Sequence, residues 1–322
     1  MEMERQNKKM QVWNLLAEKI RKLVEESVSN PEELQEIRIR TGQPLLIQMK
    51  GQERVLPDPA HPYLVTKEDI GETMGYICHY SLYAYENELK QGFITSVMAD
   101  YSFEQVVDFA SENGFECLEV ACWPKGKAER KYAGVTHIDV STLDSFKAEE
   151  ILRYCKDRKV TISALAYYPN VLDEDDECRK KSIDHLMQVI NAAAELKVNM
   201  VTTFIGRNQN LNVSDNLALA EKIWKPILNY AENRGVKIAI ENCPMLFTED
   251  EWPGGKNLAI SPAIWRELFK RLPSDMLGLN FDPSHFIWQE MDYIKPLYEF
   301  KDKIFHVHYK DCLLYTSDAA DD

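Results

Sequence analysis

The sequence predicts an α/β protein, an incomplete (β/α)₈ barrel of seven strands preceded by a small α+β segment, and three observations carry that expectation. Short apolar runs alternate with longer amphipathic stretches from Phe93 onward, the pattern of repeated βα units around a parallel sheet. The runs are short enough for strands, at Ile94–Ala99, Cys117–Ala121, Val160–Ala166, Met200–Ile205, Val236–Glu241, Leu277–Phe281 and Ile304–Tyr309. Acids and imidazoles cluster at the ends of the last three, which favours a barrel over a doubly wound sheet, the competing architecture.

Between the runs, helices are expected at about 102–113, 146–158, 177–196, 214–233, 262–271 and 291–300. Several open on Ser, Asp or Pro, residues that satisfy or dispense with the free N–H groups of a first turn. The first 93 residues read differently. An amphipathic helix is expected near 11–27, a two- or three-stranded piece over 36–40 and 45–49, and helices near 67–90. The expected domains are therefore 1–93, a fused α+β segment, 94–311, the barrel, and 312–322, a tail foreign to it.

A formal net charge of −14 and a pI near 5.1 argue against a nucleic-acid partner, which draws on clustered Lys and Arg. The chain has no apolar stretch approaching the ~20 residues of a spanning helix, and its start, Met-Glu-Met-Glu-Arg-Gln-Asn-Lys-Lys, has no signal-peptide core. Seven scattered cysteines form no Cys-x-x-Cys pair. A reducing, cytoplasmic location without disulfides or a zinc knuckle is the expectation.

Side chains alternate across a strand, so the phase of each run fixes which residues face inward. The fifth run sends Lys237, Ala239 and Glu241 inward, the sixth Gly278, Asn280 and Asp282, and the seventh His306, His308 and Lys310. Glu241, Asp282 and His308 then meet at one rim. Burying them unpaired would cost several kcal/mol, so a shared divalent cation is the economical explanation. Two carboxylates and one imidazole suit Mn²⁺, Co²⁺ or Mg²⁺ and, less decisively, Zn²⁺. The three are expected to converge within about 5 Å. His285, three residues after Asp282, is placed for a contact with substrate or with a ligand, and His306 lies one layer deeper. Glu119, His137, Arg207 and Lys310 are further candidates for the substrate pocket, each with an equally good structural role.

At Glu241-Asn242-Cys243, Asp282-Pro283-Ser284-His285 and His306-Val307-His308-Tyr309-Lys310-Asp311, with Gly114-Phe115-Glu116-Cys117-Leu118-Glu119 upstream, the chain resembles the sugar phosphate isomerase/epimerase family, the xylose isomerase-like TIM barrels that include endonuclease IV. The resemblance implies a small-molecule sugar or sugar phosphate as substrate, and a cation on Glu241, Asp282 and His308. It also implies proton transfer through an enediolate, with Glu241 as one of two catalytic glutamates. The family's other Glu, on an eighth strand, has no counterpart before Asp311, so the chain as written is expected to be inactive. A hydrolase or lyase of the same barrel, endonuclease IV-like or inosose dehydratase-like, is the alternative. Residues 38–47 and 80–95 resemble the start of the stage III sporulation ATPase, without its phosphate-binding loop, which implies a chimera joined near Thr95 and a non-enzymatic sporulation module as a third reading. The tail from Cys312 resembles translated sequencing adapter.

Overall fold

A computed structural model of the protein describes residues 16–30, 33–77, 90–126, 134–245 and 255–309. Two compact units emerge, Met1–Leu89 with Leu297–Lys301, and Lys90–Pro296 with Asp302–Asp322. The unit boundary falls four residues ahead of the one expected from sequence. No helix among the described residues is long and apolar enough to cross a membrane.

The first unit packs helix α1 (Glu18–Ser27) on an antiparallel sheet of β1 (Leu34–Arg38), β2 (Leu46–Met49) and β3 (Gln52–Val55). Ile20 and Val24, one turn apart, put the helix's apolar stripe into a cluster with Leu45, Ile47 and Met49. A two-stranded ribbon of β4 (Pro57–Asp58) and β5 (His61–Pro62) follows, then helix α2 (Lys67–Ile77). Asp69 fastens the entry to α2, accepting from the Thr66 N–H at 2.8 Å and the Tyr63 hydroxyl at 2.7 Å. The expected residues 11–15 of the first helix and 78–89 of the second lie outside the described residues.

The second unit is a curled, parallel sheet of seven strands in sequential order. The strands are β6 (Gly92–Ile94), β7 (Cys117–Ala121), β8 (Thr161–Ala166), β9 (Met200–Thr203), β10 (Lys237–Glu241), β11 (Leu277–Phe281) and β12 (Ile304–Val307). Helices α3 (Phe103–Glu112), α4 (Ser145–Asp157), α5 (Asp176–Glu195), α6 (Val213–Asn233) and α7 (Pro262–Arg271) make the crossovers between β6 and β11. Short helices α8 (Ser284–Ile287) and α9 (Ile294–Glu299) lead to β12. The curl is visible in side-chain contacts that skip strands. His306 on β12 reaches Ser163 on β8 at 3.2 Å, and His308 reaches Glu119 on β7. In a flat sheet those pairs would be four and five strands apart, near 20 Å at the ordinary strand spacing of about 4.8 Å.

The helix starts follow the capping residues in the sequence. Ser102 and Gln105 form a reciprocal capping box, while Asp144, Asp175 and Asn212 each accept from the N–H three residues on. Pro262 sits in the first turn of α7, where its missing N–H costs nothing. Between sheet and helices, Trp224 and Trp265 are buried with their indole N–H groups on the carbonyls of Ile205 and Ala259, so their apolar area is gained without an orphaned donor. Burying one such side chain contributes roughly 2–3 kcal/mol.

Several sequence boundaries shift by a few residues, the fourth strand ending at Thr203 and the last helix spanning Ile294–Glu299, and two of the shifts have a visible cause. The first barrel strand is Gly92–Ile94 rather than 94–99, because the chain turns into a 3₁₀ segment, Thr95–Met98, and the Thr95 hydroxyl takes the Ala121 N–H at 2.9 Å in place of a ladder partner. The last strand ends at Val307. The His308 N–H still donates to Phe281 O at 3.0 Å, so the ladder's final bond belongs to a residue already outside the strand. Lys310 and the tail 312–322 lie outside the described residues.

Gly278 is the tightest point between β11 and β12. A Cβ there would meet Lys303 O at 2.4 Å and the Phe305 ring at 2.5 Å. Gly278→Ala is therefore expected to lower stability by about 2–3 kcal/mol, read as a drop in the urea midpoint, since β12 must move off its neighbour.

Candidate functional site

The site is built from the inward-facing residues near the C-terminal ends of the strands. Glu119, on β7, is 3% exposed, and both of its oxygens are engaged. Oε1 accepts from the Tyr168 hydroxyl at 2.5 Å and the Thr202 hydroxyl at 2.6 Å, while Oε2 is in direct contact with His308 Nε2. Burial alone would raise its pKa, but the imidazole of His308 overrides that and holds the carboxyl well below the usual carboxylate range. His308 shows the reverse balance. Burial disfavours its charge, yet Glu119 and Glu241 on either side push its pKa well above the ordinary histidine value.

Since a carboxylate oxygen only accepts, Nε2 of His308 carries a proton toward Glu119, and Nδ1 faces Glu241 Oε1 at 3.4 Å. This is how a carboxylate orients an imidazole whose other nitrogen serves a metal. Tyr168 closes the network. It receives the Asn280 amide at 3.1 Å, Asn280 Oδ1 faces His306 Nδ1 at 3.0 Å, and burial together with the Glu119 and Glu241 charges holds the phenol protonated. His306 is kept neutral chiefly by burial.

Glu241 ends β10 and meets two imidazoles. Besides His308, its Oε1 lies 3.6 Å from His285 Nε2, and the same nitrogen lies 3.5 Å from Asp282 Oδ2. Asp282 is held tightly. Ser284 donates to Oδ1 through its N–H at 2.9 Å and its hydroxyl at 2.6 Å, and Pro283 stiffens the turn between them. The Asn242 side chain reaches from β10 to Asp282, accepting from its N–H at 2.7 Å and donating to its carbonyl at 2.8 Å. These bonds continue the β10–β11 connection past the last paired residues, Glu241 and Asn280.

Among the described residues two sets of ligand atoms lie within 4.8 Å of one another, Glu241–Asp282–His285 and Glu119–His306–His308, so the trio expected from sequence is divided: Glu241 and Asp282 meet His285, while His308 stands with Glu119 and His306. Donors about 2.1 Å from one ion stand about 3.0 Å apart at right angles and about 3.4 Å apart at the tetrahedral angle. The separations around Glu241, 3.4 to 3.6 Å, lie at and just beyond the upper end of that range. The second set does not fit it, because Glu119 and His308 are already hydrogen bonded to each other. A hard or borderline divalent ion therefore fits the Glu241 end.

The other sequence candidates fall elsewhere. Both ring nitrogens of His137 are taken, Nδ1 by the Thr95 hydroxyl at 2.9 Å and Nε2 by Tyr101 O at 3.1 Å, and burial lowers its pKa. Arg207 follows Gly206, whose φ of +82° turns the chain at the end of β9. Asn170 clamps that turn, accepting from the Arg207 N–H and donating to the Arg207 carbonyl, each at 2.8 Å. Sequence reasoning gave no role to Tyr168, Thr202, Asn242, Asn280 or Trp288. Asn280 was already inward by phase. Tyr168 was hidden by a register slip that leaves Ser163 as an extra residue on β8 and shifts the alternation beyond it.

Residues 107–320, more than half of the chain, match the family model described as the xylose isomerase-like TIM barrel. The chain belongs to this family. Residues 6–100 match a second model, sporulation stage III protein AA. An uncharacterized protein, YfiH, of Bacillus subtilis (strain 168) is 24% identical over 247 residues, covering 69% of this chain and 73% of the relative. Solved structures with the same fold include the probable 3-DHS dehydratase AsbF of Bacillus anthracis, 19% identical with a TM-score of 0.56 over 72% of this chain and 77% of that one. D-psicose 3-epimerase of Clostridium cellulolyticum H10 is 13% identical, with a TM-score of 0.52 over 70% and 74%. Sugar epimerases and a dehydratase thus share this xylose isomerase-like architecture.

His137 and His185 give the barrel a definite acid response. Burial lowers both pKa values below 6.5, so each stabilises the fold fully above about 6.5 and loses that contribution as pH falls and the unfolded chain takes up the protons first. Between pH 7 and 5 the urea midpoint of His137→Gln, which cannot charge, is expected to lose less, or gain more, than that of the wild type.

Proposed function

We propose that the chain is a metal-dependent isomerase or epimerase of a sugar or closely related polyhydroxy compound, working by proton transfer next to a carbonyl. One observation supports this reading above the rest. Glu241 is a buried carboxylate whose Oε1 lies 3.4 Å from His308 Nδ1 and 3.6 Å from His285 Nε2, beside Asp282.

Glu241, Asp282 and His308 would hold the cation, with Mn²⁺ or Co²⁺ preferred by the mixed oxygen and nitrogen set. When bound, it polarises the substrate carbonyl and makes the neighbouring C–H acidic enough for a carboxylate base. Glu241 takes that proton, helped by burial that excludes competing water. His285 offers a hydrogen bond to a substrate oxygen. Glu119 keeps His308 in place and remains an anion, and a carboxylate held so far below its usual range is a poor base. Trp123, Tyr168, Phe204 and Met245, around the strand ends, form an apolar wall suited to the C–H face of a sugar.

A dehydratase begins with the same proton abstraction, and a donor such as His285 would suit a departing hydroxyl. The two readings part after that first step. Epimerisation returns a solvent proton to carbon, whereas elimination leaves a conjugated carbonyl that absorbs in the ultraviolet.

With Mn²⁺ or Co²⁺ and a panel of ketoses, the protein is expected to incorporate solvent deuterium at the carbon next to the carbonyl, followed by NMR. Glu241→Gln should lower exchange by at least ~10²-fold while the protein stays folded. Exchange that survives chelation and the Glu241 substitution would rule out this assignment; loss of water without exchange would favour the lyase.

Glu119→Gln probes the support of the site separately. It leaves His308 without its anionic partner, and cation affinity is expected to weaken about 10- to 100-fold by calorimetry.

A further inference from the structure

We propose that Trp288 is a positioning residue that fixes His285 as a hydrogen-bond donor toward Glu241 and Asp282. The proposal stands on geometry and does not depend on the metal reading above.

His285 and Trp288 lie three residues apart around the short helix α8, so their side chains share a face. The indole stands edge-on to the imidazole, with centroids 6.4 Å apart and planes at 81°, and its Nε1–H points at His285 Nδ1 from 3.2 Å. An indole N–H can only donate. Nδ1 must therefore present its lone pair, and a neutral His285 carries its proton on Nε2. That nitrogen faces both carboxylates, 3.6 Å from Glu241 Oε1 and 3.5 Å from Asp282 Oδ2. What it turns toward them is an N–H, and an N–H has no lone pair for a metal. Gln289 holds the turn by donating to the His285 carbonyl.

The test uses the whole protein labelled with ¹⁵N-histidine and free of metal. Two-bond ¹H–¹⁵N spectra at mildly alkaline pH distinguish the two neutral tautomers, with His285 assigned by its loss in His285→Asn. Wild type is expected to give the Nε2–H pattern. Trp288→Phe keeps the ring but removes the N–H, and should move His285 toward Nδ1–H. Zn²⁺ titration by calorimetry should then show binding about 10-fold tighter in Trp288→Phe, as a second imidazole joins the site, and the gain should vanish when His285→Asn is added. An Nδ1–H pattern in wild type, or an unchanged pattern in Trp288→Phe, overturns the proposal. If the variant does not fold, the wild-type spectrum decides the tautomer by itself. Wild type and variant that both ignore Zn²⁺ and Mn²⁺ would overturn the metal reading, while the spectra still judge the tautomer.

Discussion

A buried imidazole held between two carboxylates is the constraint around which the barrel interior is organised. His308 arrives from the last described strand, Glu119 from the second strand of the barrel sheet and Glu241 from the fifth, so their meeting fixes how far the sheet curls. Each charge alone would pay a desolvation penalty of several kcal/mol, and the arrangement is tolerable because every polar atom of Glu119 is matched. Tyr168, Thr202 and Asn280 are therefore part of the cost of placing charge at the site. They extend the hydrogen-bond network around Glu119, whose two oxygens are both engaged.

From that centre the polar groups sort by what lies behind them. Glu119 is saturated and acts as an anchor. Glu241 faces two imidazoles through Oε1 and lies next to Asp282. Asp282 has one oxygen pinned by Ser284 and the other directed at His285. The same residue types thus take different roles on neighbouring strands. Identity and burial are alike; hydrogen-bond partners differ.

Much of this was legible in the sequence because it follows from local rules. Alternation placed Glu241, Asp282 and His308 at the inner rim, and the capping residues located the helix starts within a residue or two. The rules failed where a side chain replaced a backbone partner or where a strand slipped. Thr95 ended the first barrel strand early by taking the Ala121 N–H, and the extra residue at Ser163 changed the phase that would have pointed to Tyr168. Neither event leaves a mark in composition or period, since each depends on a strand distant in sequence.

The sequence by itself determined the barrel, its seven strands, the separate α+β segment before it and the acids and imidazoles that reach the rim, because periodicity and strand phase are local properties of the chain. Only the tertiary structure decided how those groups pair. Glu119 was an even choice between pocket and scaffold until the curl brought it against His308, and His137 was a pocket candidate until Thr95 and Tyr101 took both of its nitrogens. His285 meets a donor, the Trp288 indole, and His308 meets an acceptor, Glu119. A histidine's tautomer is set by the partner of its far nitrogen, and for His308 that partner lies 189 residues away.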